Sequence, residues 1–116
     1  MQDYMLIYQG GDPEWHLNTS PEEMQAIMGE WDKWMAALSE KGKLVSGGNP
    51  LHYSGKRIDG KRAVTDIAAA EYKELVSGYS IIKASSIDEA TELAMSCPVL
   101  FSPDCSVEVR EIMNME

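Results

Sequence analysis

Asp66, Glu71, Lys73 and Glu74 put three carboxylates and an ammonium into one connector, Val64 to Tyr79, that joins two apolar runs. A carboxylate beside an ammonium can act as a general acid/base pair where burial moves both toward neutral titration. Connectors held by rigid elements are also where small domains keep much of their chemistry. Asp66 and Glu71 are therefore the candidate catalytic residues, since Asp66 ends a β-type run and would point into the space that its neighbours enclose. A plainer arrangement fits the same residues: an aspartate capping a turn, with the rest on a solvated face. For Lys73 and Glu74 the plainer arrangement is favoured.

A second group is aromatic. Trp31 and Trp34, with Met28 and Met35, recur at helical spacing, and with Tyr8, Tyr53 and Tyr79 they could line an apolar ligand pocket between a helix and a sheet. The same stripe also describes an ordinary core face. Trp31 is the residue of interest, because tryptophan is seldom wholly buried. His16 and His52 are isolated beside turns, so no metal site is expected. Arg110 could hold an anion, but Glu108 and Glu111 offer it ordinary partners. Cys97, at a helix end, lacks the electropositive surroundings that activate a thiol. Neither a phosphate loop, a nucleophile elbow nor a Cys-x-x-Cys pattern occurs, so no cofactor is expected.

The elements that must position these groups are legible from periodicity. Tyr4–Tyr8 reads as a first strand closed by the Gly10-Gly11-Asp12-Pro13 turn. Ser20-Pro21-Glu22-Glu23 supplies an N-cap, a proline at the first helical position and a capping glutamate. The helix it opens carries Met24, Ile27, Met28, Trp31, Trp34, Met35 and Leu38 on one stripe, and Gly42 stops it. A strand from Lys43 bends at Gly47-Gly48, and Asp59-Gly60 marks a hairpin between Tyr53–Ile58 and Lys61–Thr65. Gly78–Ala84 is a further strand. Ser86 and Glu89 then cap a helix whose face holds Ala90, Leu93, Ala94 and Cys97, ended at Pro98. Ser106–Ile112 alternates valines with charges as a half-buried last strand.

The order β-α-β, hairpin, β-α-β predicts an α+β, ferredoxin-like split βαβ fold with an inserted β-hairpin. Two helices cover one sheet face and leave the other bare. The strands carry enough apolar residues, Ile81 beside Ile82 among them, to make both faces apolar. At roughly 25 cal/mol per Å², leaving about 600–800 Å² uncovered would forgo on the order of 10 kcal/mol before association costs. A homodimer packed sheet on sheet is expected.

Composition bounds the rest. The 116 residues fit one domain, and a net charge of -9 from 19 acidic and 10 basic residues disfavours nucleic acid and anionic membranes as partners. No apolar run approaches the ~18–20 residues of a membrane span, and the N-terminus lacks a basic-then-apolar leader, so a cytoplasmic location is expected. Cys97 and Cys105 are expected to be reduced.

Val64, Thr65, Asp66, Ala70, Glu71, Lys73, Glu74, Gly78 and Tyr79 stand in the register of a Val-Thr-Asp-Gly-Pro-Phe-Ala-Glu-Thr-Lys-Glu motif followed by Gly-Tyr/Phe. The chain thus resembles the YCII-related domain family, in the branch named for Asp-Gly-Pro-Phe, although Ile67-Ala68-Ala69 replaces Gly-Pro-Phe. Tyr4–Tyr8, Ser20–Met24, Asp59–Lys61, Asp88–Ala90, Cys97-Pro98 and Val107–Arg110 extend the similarity over nearly the whole chain. The resemblance implies a dimeric α+β barrel and leaves activity open, since most members of the branch have no established reaction. In the wider family a histidine and an aspartate are proposed as an acid/base pair; their positions here hold Trp31 and Cys97. A module binding a small molecule or a protein is therefore favoured, with a cofactor-independent acid/base enzyme of isomerase or lyase type as the alternative.

Overall fold

The computed structural model describes residues 1–67 and 74–115. Its elements are β1 (Gln2–Gly10), α1 (Trp15–Asn18), α2 (Pro21–Glu40), β2 (Leu44–Ser46), β3 (Lys56–Ile58), β4 (Val64–Asp66), β5 (Val76–Ala84), α3 (Ile87–Met95), a 3-10 turn (Pro98–Phe101) and β6 (Cys105–Glu111). Glu71 and Lys73 lie outside the described residues.

β2, β5, β1 and β6 form a four-stranded antiparallel sheet in that order, the ferredoxin-like arrangement. β3 and β4 form a separate two-stranded sheet. Strict alternation makes this sheet two-sided. Tyr4, Leu6, Tyr8, Ile82 and Ala84 are buried under the helices. Their neighbours Met5, Ile7, Tyr79 and Ile81 occupy the opposite face, where Met5 pairs with Ile81 and Ile7 with Tyr79. The molecule measures 45 × 42 × 19 Å, the thickness of one sheet carrying one helix layer.

Both long helices start as expected. Ser20 Oγ accepts from Glu23 N at 3.2 Å and Ser86 Oγ from Glu89 N at 3.1 Å. Glu89 Oε1 is turned back onto Ser85 N and accepts from Lys43 Nζ at 3.0 Å, tying α3 to the start of β2. The Lys43 ammonium and the Ser85 amide hold the Glu89 carboxyl below its ordinary range. Ala84, Ala90 and Ala94 are buried where α3 meets the sheet, small enough to let the helix settle closely.

Two expectations need correction. The apolar stripe of α2 is only half used: Trp34 and Leu38 are buried and Trp31 and Met35 pack on them, but Ile27 and Met28 are exposed. A 20-residue helix is about 30 Å long, and the residues it packs into the core, from Trp31 to Leu38, all lie in its second half. The hairpin turn is also longer than Asp59-Gly60. The ladder ends at Ile58–Val64, and Arg62, not Gly60, takes the left-handed backbone at φ 67°. Asp59 Oδ1 accepts from both Lys61 N and Ala63 N, so its side chain builds the wider loop.

Candidate functional site

Three of the aromatic residues singled out from the sequence meet. The ring of Trp31 stands edge-on to Tyr8 at 5.6 Å and to Trp34 at 5.8 Å. Trp34 Nε1 donates to Leu93 O at 3.2 Å, which fixes α2 against α3. β1 aims Tyr8 into this space because its parity matches Tyr4 and Leu6.

The Tyr8 hydroxyl is the centre of a buried polar line. Cys97 Sγ donates to it at 3.6 Å, it donates to Ser80 Oγ at 2.7 Å, and Ser80 donates to Gly47 O at 2.8 Å. Every hydroxyl in the line both donates and accepts. Among the described residues no buried side-chain oxygen or nitrogen is left without a partner. Burial first, then the neighbouring thiol, pushes the Tyr8 phenol far above its ordinary value. Burial likewise pushes the Cys97 thiol up. Both groups stay protonated near neutrality, which is unsuited to nucleophilic or general-base work. The two positions at which the family resemblance implied an acid/base pair, Trp31 and Cys97, thus come together on Tyr8, carrying an indole and an un-ionised thiol.

The other candidates lie elsewhere. Tyr79 belongs to the uncovered sheet face, one residue out of phase with Gly78 and Ser80, so it shares no pocket with Tyr8. Its carbonyl is approached so closely by Gly48, at φ +70°, that any Cβ there would collide with it. Tyr53 reaches the far end of β1, donating to Gly10 O at 3.0 Å. Burial and the nearby Cys105 raise its phenol. Asp66 lies on the two-stranded sheet, its side chain 68% exposed and paired with Lys56. His16 and His52 are exposed, and no metal-holding group of three or more His, Cys, Asp or Glu occurs among the described residues. Arg110 pairs with Glu108 at 3.7 Å.

Sequence reasoning missed two features. Ser80 and Gly47 complete the Tyr8 line, and only the strand register reveals that a serine on β5 faces inward. A shallow apolar groove of about 110 Å³ also opens between α3, the 3-10 turn and β6, lined by Thr91, Ala94, Met95, Leu100, Val107 and Val109. The valine alternation of β6 signalled one wall of it, while Leu100 enters through a turn that had no periodic signal.

No curated protein matches this chain. The profile of the YCII-related domain does match, over residues 1–116. Because that match runs through the split βαβ sheet, both helices and the Tyr8 cluster alike, the chain belongs to the YCII-related domain family.

Proposed function

We propose that this chain is a homodimeric binding module, closed sheet on sheet into a dimeric α+β barrel, and that the space between its helices and sheet is structural and not a site of acid/base chemistry. The observation that carries this reading is the Tyr8 line. Its hydroxyls are fully paired, its titratable members are held protonated by burial, and the ring of Tyr8 stands edge-on against Trp31. An acid/base enzyme would need Asp66 and a second titrating group enclosed together, whereas Asp66 is open to water beside Lys56.

The binding surface is the uncovered sheet face. Met5, Ile7, Tyr79 and Ile81 form its half-buried centre, with Val45 at 44% exposure on the neighbouring strand. The pairs Asp3–Lys83, 3.1 Å, and Glu108–Arg110 frame it. An apolar centre within a charged rim is the anatomy of a protein interface. Stable interfaces use ~800 Å² per partner, so the contact would have to extend from this centre to the charged rim. A small-molecule or protein ligand would then bind a dimer, with no metal or cofactor. Light scattering on the purified chain tests the reading: a dimer mass is expected at micromolar concentration, and a monomer throughout that range would overturn it.

A further inference from the structure

The β3–β4 hairpin is poorly explained by the chain that carries it. Lys56–Ile58 and Val64–Asp66 are exposed at every position. Ile58 and Val64 face each other across the ladder at 68% and 60% exposure, on the same side as the Lys56–Asp66 pair. An isolated two-stranded hairpin is marginal in water and needs a third strand or a packed face. An exposed β-branched cross-strand pair is the kind of side-chain contact that such a face would use.

Two further observations say what covers it. Residues 55–67 hold four of the ten basic residues and two of the nineteen acidic ones, a net charge of +2 that leaves −11 on the rest of the chain. Asp59 is engaged by its own turn and Asp66 by Lys56. Arg57, Lys61 and Arg62 carry no ion pair among the described residues. The hairpin is thus a cationic, apolar-faced arm on an acidic body, complementary to another body of the same kind. The chain is also extended for its length: its radius of gyration is 15.6 Å, against roughly 13 Å for a compact chain of this size.

The geometry points to the β3–β4 hairpin as an arm that packs its Ile58–Val64 face on a second copy of this chain. The inference rests on the homodimer proposed above and adds a second contact to the sheet face.

The test replaces Ile58→Ser and Val64→Ser together and measures the dimer dissociation constant by sedimentation equilibrium. Both side chains are exposed in the single chain, so the circular dichroism spectrum should not change. The dissociation constant should rise at least tenfold. In parallel, a photo-crosslinking residue at position 58, in a mixture of two differently tagged copies, should join unlike tags, and the same residue at Lys33 on α2 should not. A wild-type dimer whose dissociation constant ignores the double substitution, with no joined tags, overturns the arm and leaves the sheet-on-sheet dimer standing. A wild-type monomer overturns both. Crosslinks from position 58 to nucleic acid or to an unrelated acidic protein, in place of the second copy, also overturn it.

Discussion

The phenol of Tyr8 is held by three elements at once: β1 carries it, Ser80 of β5 accepts its proton and Cys97, just beyond α3, donates to it. Replacing it by phenylalanine keeps the ring against Trp31 and removes both bonds, leaving Ser80 Oγ without its donor and the thiol without its acceptor. Net costs for a buried hydrogen bond are about 0.5–1.5 kcal/mol, with more where a partner is stranded. Tyr8→Phe should therefore destabilise the chain by about 1–2 kcal/mol, read from the denaturant midpoint. An unchanged midpoint would mean that the hydroxyl line contributes nothing. Thiol chemistry gives an independent readout. Cys97 is buried and its thiol pushed up, while Cys105 is half-buried at the start of β6. A maleimide at neutral pH should modify Cys105 first, and Cys97 only as fast as the chain unfolds. Simultaneous labelling of both in the native state would contradict the burial that makes this cluster inert.

At the scale of elements, stability gathers at the start of α3, where Ser86 caps the helix and Glu89 joins it to Lys43. Ser86→Ala should cost about 1 kcal/mol by exposing unpaired N-terminal amides. The Glu89 carboxyl has a lowered folded-state value, chiefly from the Lys43 ammonium. A depressed carboxylate stabilises the fold above its unfolded value of about 4.3 and loses that contribution as pH falls through the folded value. Acid titrations of Glu89→Gln should show a shallower decline in stability below about pH 4 than the parent chain. Identical curves would show that the Lys43 bridge does not contribute.

These helix starts were legible because a serine and a glutamate three residues apart make a local signal. The strand order was legible from alternation together with the topology that it permits. The site was less so. Tyr8, Trp31 and Trp34 were recognised as neighbours because helix and strand parity both point them inward. Tyr79 has the aromatic character of that group, but one step along β5 sends it to the other face. The Asp59 loop escaped for a related reason: Asp59-Gly60 resembles a two-residue turn, and only the bonds from Asp59 Oδ1 show that the loop is wider.

At the scale of the whole molecule, the layer is 19 Å thick and carries an apolar column on its bare side, the face that the proposed dimer would cover. Ile7 lies at the middle of that side, opposite Tyr79 on β5 and Glu108 on β6. A lysine there would place an ammonium in the centre of a sheet-on-sheet contact, where losing its water costs several kcal/mol that Glu108, already paired with Arg110, would offset only in part. In the single chain the same side chain could extend into water at little cost. The dimer reading therefore predicts a separation of effects for Ile7→Lys: loss of association with retention of the fold. Thermal melting measures both. If folding is coupled to dimerisation, each tenfold rise in concentration stabilises the wild-type dimer by about 1.4 kcal/mol, and its midpoint climbs accordingly. The variant should melt cooperatively with a midpoint that does not move with concentration. A wild-type midpoint that stays flat across a hundredfold range, with scattering at the monomer mass, would leave the apolar column facing water and the proposed barrel without its second half.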